Sequence, residues 1–222
     1  MKGLEGLIHT KIRLSQNGAL GIGALIVFIA MVLTAGFAVY VLLSTSTDLE
    51  VKSGTTGRET IQDVSTGIKI STIEGHNTAG SIDKIVIIIT PRPGSPNIGL
   101  ENMVLELSNA SIKNVVNYAS DQWIDGSSGL PDIFSVNAFS LTSSEFGVIV
   151  LKDDDSSCLQ NTPVINQGDS VMIALNTSSI FNGISKSENI QGYIIPQEGA
   201  WSIIEFRTPS SFTNAILILQ ED

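Results

Sequence analysis

The densest group of oxygen ligands in the chain is the run Asp153-Asp154-Asp155-Ser156-Ser157. Side-chain oxygens at 153, 155 and 157 match the opening spacing of a calcium loop, in which alternate residues converge on one cation. The sixth position, however, is Cys158, where such a loop turns on Gly. The twelfth is Val164, where a bidentate Glu would close the coordination. The run therefore reads as a solvated acidic turn. A non-standard structural Ca2+ site completed by other loops stays open as the alternative, without an assigned ligand set.

Catalysis has less to work with. The two histidines are His9, in a basic N-terminal segment, and His76, in the loop-like stretch Glu74-Gly75-His76-Asn77, where solvated surface is the simplest reading. A single cysteine, Cys158, excludes an intrachain disulfide and a thiolate metal cluster. Gly21-Ile22-Gly23 opens a dinucleotide-type pattern, but Ile26 stands at the third glycine and no strand precedes it. Neither a Gly-Lys-Ser/Thr phosphate loop nor a Gly-x-Ser-x-Gly elbow occurs. No catalytic or cofactor site is assigned. Two tripeptides, Asn109-Ala110-Ser111 and Asn176-Thr177-Ser178, match the N-glycosylation acceptor, and each follows a predicted strand.

The elements that carry these residues are of two kinds. Residues 19–47 hold no charged side chain over 29 positions. As a helix rising ~1.5 Å per residue they exceed a ~30 Å hydrocarbon core. The run is apolar all round, so its helix belongs in lipid or in the middle of an assembly. Before it, residues 1–18 carry Lys2, Lys11 and Arg13 against Glu5, a leader that stays cytoplasmic. Cleavage after the core, near Leu42–Ser46, would discard the helix; cleavage at Gly18-Ala19 would keep it. Over all 222 residues, 22 acidic against 12 basic side chains give a net charge of −10, which disfavours nucleic acid.

From Ile68 onward short Ile/Val-rich runs alternate with turn residues. Strands are predicted over 68–73, 82–90, 102–108, 146–151, 169–175, 191–195, 202–206 and 212–219. Met103, Leu105 and Leu107 share one face of their run, as do Val171, Ile173 and Leu175. Turn signals sit at Pro91-Arg92-Pro93-Gly94, Asp125–Gly129, Gln167-Gly168 and Asn182-Gly183. Eight strands in ~150 residues predict an α+β chain: a long hydrophobic helix, then an immunoglobulin-like antiparallel β-sandwich. The last strand is expected inside the sheet. Gly54 and Gly57 mark a break or bend in the helix.

Gly18-Ala19-Leu20-Gly21-Ile22-Gly23 followed by ALIVFIAMVLTAGFAVYVLL resembles the N-terminus of archaeal flagellins, the archaellins. The likeness continues through residues 54–75 and 89–107, GDSVMIAL at 168–175 and EGAWSIIEFRTPSSF at 198–212. Asn17 stands where that family usually carries Lys or Arg. Type IV pilins are the related alternative, but they usually carry Glu at the fifth mature position, which here is Gly23. The resemblance implies a cleavable class III, prepilin-like leader over 1–18, a filament-core helix over 19–66 and an outer sandwich over 67–222. It implies cleavage between Gly18 and Ala19 and an assembly helix packed through Gly21, Gly23, Val27, Phe28, Val32 and Gly36. The implied partners are copies of the same chain, a preflagellin peptidase, and a membrane assembly platform with its motor complex. The implied location is an extracellular swimming filament, fed by a precursor in the cytoplasmic membrane. Asn109 and Asn176 would be glycosylated. An adhesive pilus subunit or a membrane-anchored binding module is the competing function.

Overall fold

In a computed structural model of the chain, the first element is one helix, α1, Lys2–Ser65. The structure describes the backbone course of residues 2–221, and side chains for residues 20–61 and 64–221. Residues up to Arg58 and from Glu59 onward form two separate compact units. The expected break at Gly54 and Gly57 does not occur, since the helix is continuous across both. An isolated Gly weakens a helix by up to ~1 kcal/mol but leaves its backbone hydrogen bonds intact.

After α1 the chain forms β1 (Ile68–Thr78), β2 (Ser81–Pro91), β3 (Ile98–Gly99), β4 (Val104–Ser108), β5 (Lys113–Asp125), β6 (Glu145–Lys152), β7 (Val164–Ile165) and β8 (Ser170–Asn176). The short helix α2 (Thr177–Phe181) and strands β9 (Asn189–Ile195), β10 (Ser202–Arg207) and β11 (Ile216–Glu221) follow. Nine strands make one sheet in the order β10-β9-β4-β5-β6-β8-β2-β1-β11, and β3 pairs with β7 apart from it. The sheet curls into a sandwich-like body whose two edge strands approach each other, where the Glu205 N–H donates to Oε1 of Gln220. Ile68, Ile87, Leu105, Phe146, Ile173 and Ile204 come from across the whole sheet and fill the enclosed core.

Every strand predicted from the sequence has a counterpart, and Leu105, Leu107, Val171, Ile173 and Leu175 all point inward. Three features differ. The longest strand, β5, has no counterpart among the predicted runs, because KNVVNYASDQWID is polar and only Val116 and Ala119 are buried in it. It pairs with β6 in parallel, so the sheet is mostly rather than wholly antiparallel. The last strand, β11, is an edge paired by its backbone to β1 alone, not an interior strand.

β8 is buried on both faces, which its unbroken apolar run VMIAL requires. Met172 and Ala174 on the outer face lie under Phe134, Ala138 and Phe139, carried by two short 3-10 turns. The cover sits so close that a Cβ on Gly147 would come 2.4 Å from the Ala138 carbonyl oxygen. Only glycine lets the turn lie flat on the sheet there.

Candidate functional site

Along residues 20–61 the helix carries its apolar side chains exposed on every side. Between Leu20 and Leu43 sixteen large apolar residues face outward, Val27, Phe28 and Val32 among them. At ~1.5–3 kcal/mol per fully buried side chain, removing them from water is worth on the order of 30 kcal/mol gross. Gly21, Gly23 and Gly36 have open space around them, so a neighbouring backbone could approach closely at those points. The helix brings little polarity with it. Thr34 donates its hydroxyl to the Ala30 carbonyl at 2.7 Å, and Thr45, Thr47 and Thr55 likewise bond carbonyls three or four residues back. No hydroxyl among these demands water. Gly18 and Ala19, the cleavage assignment, lie outside the residues whose side chains are described.

The acidic run folds differently from its calcium-loop spacing. Asp153 and Asp155 are joined by Asp169, and one oxygen from each lies within 4.8 Å of the others. Asp169 follows the Gln167-Gly168 turn, too far along the chain for spacing to have suggested it. It is buried, and its carboxylate accepts the N–H groups of Asn166 (2.9 Å) and Asp154 (3.2 Å). Asp153 accepts from Ser157 and Cys158, and Asp155 from Ser157 and the Asn166 side chain. Those hydrogen bonds, led by Ser157, hold the Asp155 carboxyl below the usual carboxylate range. Ser157, the third oxygen of the calcium-like spacing, instead donates its hydroxyl to the Val164 carbonyl.

Burial, with the nearby Asp153 charge, pushes the Cys158 thiol up to about 12, so it stays protonated. Burial also raises the Tyr118 phenol, whose hydroxyl donates to the Gln160 carbonyl. His76 is half-buried rather than solvated: Nδ1 lies 2.8 Å from Asp83, and the ring stacks on Phe134. Both sequon asparagines have structural partners. Asn109 Nδ2 donates to Glu188, and its Oδ1 accepts from Ser111 and Ile112. Asn176 caps α2 through the Ser179 N–H and donates Nδ2 to the Phe139 carbonyl. Ala110 and Ser111 are exposed, whereas Thr177 inside the second sequon is fully buried.

A helix too apolar to remain in water, joined to a sandwich-like head, defines a class of chain that must be held in lipid or in an assembly. The archaeal-type flagellin model matches residues 18–206, and the chain belongs to that family. Flagellin B1 of Methanococcus voltae is 41% identical over 212 residues, 93% of this chain and 96% of that protein. Flagellin B2 of Methanocaldococcus jannaschii is 37% identical over 206 residues, 92% and 95% of the two chains. The crystal structure of archaeal flagellin FlaB1 from Methanocaldococcus jannaschii superposes with a TM-score of 0.65 at 32% identity. That match covers 70% of this chain and 98% of the other. The archaeal flagellum of Methanospirillum hungatei shares the fold at TM-score 0.60 and 13% identity, over 89% and 99% of the chains.

Proposed function

We propose that this chain, a structural subunit of the archaeal flagellum, works by exchanging one apolar solvent for another. In the precursor the run 19–47 resides in the cytoplasmic membrane. A preflagellin peptidase cuts between Gly18 and Ala19, and an assembly platform moves the helix from lipid into a bundle of its own kind. Gly21, Gly23 and Gly36 admit neighbouring helices, while Val27, Phe28 and Val32 fill the space between them. Non-closing, head-to-tail contacts then extend a helical polymer outside the cell. A separate motor complex turns it. The observation that carries this reading is the helix, exposed over residues 20–61 and free of charge up to Thr47, in a chain of this family. The family match starting at Gly18 supports the cleavage position.

The experiment is N-terminal sequencing of protein sheared from the cell surface. A start at Ala19 is expected, and Gly18→Val should leave the precursor in the membrane with no filaments. A start at Met1, with all protein in the membrane pellet, would instead favour an anchored surface module.

The calcium reading passes to Asp153, Asp155 and Asp169. Three carboxylates held this close repel one another, and a divalent cation relieves that repulsion. The lowered Asp155 pKa keeps that ligand anionic in mild acid, since protons must compete harder for it. Millimolar Ca2+ is expected to raise the melting temperature of the head by roughly 5 °C, and Asp169→Asn to remove the gain. An equal melting temperature with calcium and with chelator would sink the site. Of the two sequons, the exposed surroundings of Asn109 make it the better acceptor for a glycan.

A further inference from the structure

The Asn182-Gly183 turn ends α2 and has no role in the filament mechanism. The pair carries chemistry of its own. The side-chain amide carbon of an asparagine, Cγ, can close a five-membered ring with the backbone nitrogen of the next residue. When that nitrogen attacks Cγ, a C–N bond forms, the side-chain amide leaves as ammonia and a succinimide results. Water then opens the ring to aspartate or, at the other carbonyl, to isoaspartate, and nothing is oxidised or reduced. A following glycine favours the attack because no side chain shields its nitrogen. The chain holds a second such pair, Asn17-Gly18, which lies before Ala19.

Asn182 is exposed, so water reaches its amide. Its backbone is the obstacle. Asn182 has φ 64° and ψ 28°, the left-handed conformation that asparagine tolerates at the end of a helix. At that ψ the Gly183 nitrogen stands nearly opposite Cβ about the Cα–C bond, whereas ring closure needs the two eclipsed. The nitrogen is also engaged, since its N–H donates to the Thr177 carbonyl at 3.0 Å. Neighbouring residues hold the turn down. The Asn182 N–H donates to the Ser178 carbonyl at 3.1 Å, and Ile184 exchanges two backbone hydrogen bonds with Ile82, at 2.9 and 3.0 Å. Ser81 donates its hydroxyl to the Ile184 carbonyl at 3.2 Å. The buried Thr177 hydroxyl ties α2 to the Ile82 carbonyl at 2.8 Å. Rotation about the Asn182 ψ therefore requires the end of α2 to come away from β2.

We propose that Asn182 is a deamidation site that the folded head holds closed and that reacts when the end of α2 opens. Its rate then follows the population of the open state, not the exposure of the side chain. Isoaspartate adds a methylene to the main chain and displaces the Gly183 N–H from Thr177, so a turn that has reacted does not close as before. The site is a one-way record of local opening.

The test incubates the full-length protein in detergent, folded or unfolded by denaturant, in the same mildly alkaline buffer. Digestion and mass spectrometry follow the peptide that holds residue 182, which separates it from Asn17. The unfolded chain is expected to convert Asn182 at least ~tenfold faster than the folded one. Ser81→Ala removes one hydrogen bond from the turn and should raise the folded rate roughly three- to tenfold. Gly67→Ala weakens the head from the other end of β1 and, below its melting temperature, should leave the Asn182 rate near wild type. Equal rates in folded and unfolded protein, or no conversion in either, would overturn the proposal. So would a Ser81→Ala rate equal to wild type, or a Gly67→Ala rate raised as far as that of Ser81→Ala, because protection would then come from global stability alone.

Discussion

Val32→Asp is expected to reduce filament yield to nothing. Val32 lies midway along the apolar run, on a helix with no polar face to which a carboxylate could turn. A charge at the centre of a membrane helix costs about 3 kcal/mol on insertion scales, and the fifteen other large apolar side chains between Leu20 and Leu43 outweigh it. The precursor should therefore still partition with the membrane. A packed helical bundle is less forgiving. It has neither headgroups to reach nor water to admit, so an unpaired carboxylate must be buried or protonated at the expense of every contact around it. Because each subunit repeats the defect, even a few kcal/mol per subunit is enough to halt growth. Val32→Leu keeps the position apolar at a cost of one methylene and should assemble. Filaments counted by electron microscopy from cells expressing each variant decide the matter. Wild-type numbers from Val32→Asp would remove the helix from the filament core.

Gly67→Ala should destabilise the head severely for a change of one methyl group. Gly67 follows the helix and precedes β1, with φ +134°, a conformation that side-chain-bearing residues rarely adopt. A Cβ there would lie 2.5 Å from the Ala200 carbonyl oxygen and 2.9 Å from its nitrogen, both backbone atoms. They cannot retreat, because the Ala200 N–H donates to Thr66 at 2.8 Å, and the Gly67 carbonyl accepts from Arg92 at 2.8 Å. Ser95 bonds both the nitrogen and the carbonyl of Gly67, and Ser202 donates to the Ile68 carbonyl. The methyl therefore combines backbone strain with overpacking, together about 3–5 kcal/mol. For a unit of this size that lowers the melting temperature by roughly 10 °C. Gly57→Ala is the control, since a Cβ there meets nothing within 4 Å and a helical Ala is favoured over Gly. Thermal unfolding in detergent should separate the pair, with Gly57→Ala at or slightly above wild type. Equal melting temperatures would mean that the backbone at Gly67 is free to move.

What could be read from the sequence was whatever depends on neighbours in the chain. The length and composition of 19–47 called for an exposed apolar helix because burial of that much surface is a property of the segment itself. Period-two alternation located β4 and β8, and the glycine and proline signals bounded them. β5 escaped because its thirteen residues bury so little: its place is decided by pairing with β4 and with β6, which lie on either side of it in the sheet. Strand order is a matter of long-range hydrogen bonds, and no local pattern encodes which edge a strand will meet. For the same reason β11 came out at the edge rather than inside, and with β10 it left Trp201, Ile203 and Ile218 on the surface. The third carboxylate of the acidic cluster shows the limit most plainly. Asp153 and Asp155 announce themselves by spacing, but Asp169 joins them only because β6 and β8 are paired, which carries the turn before β8 back to the loop after β6. Segment-level burial was written in the chain; the juxtaposition of distant residues waited for the sheet.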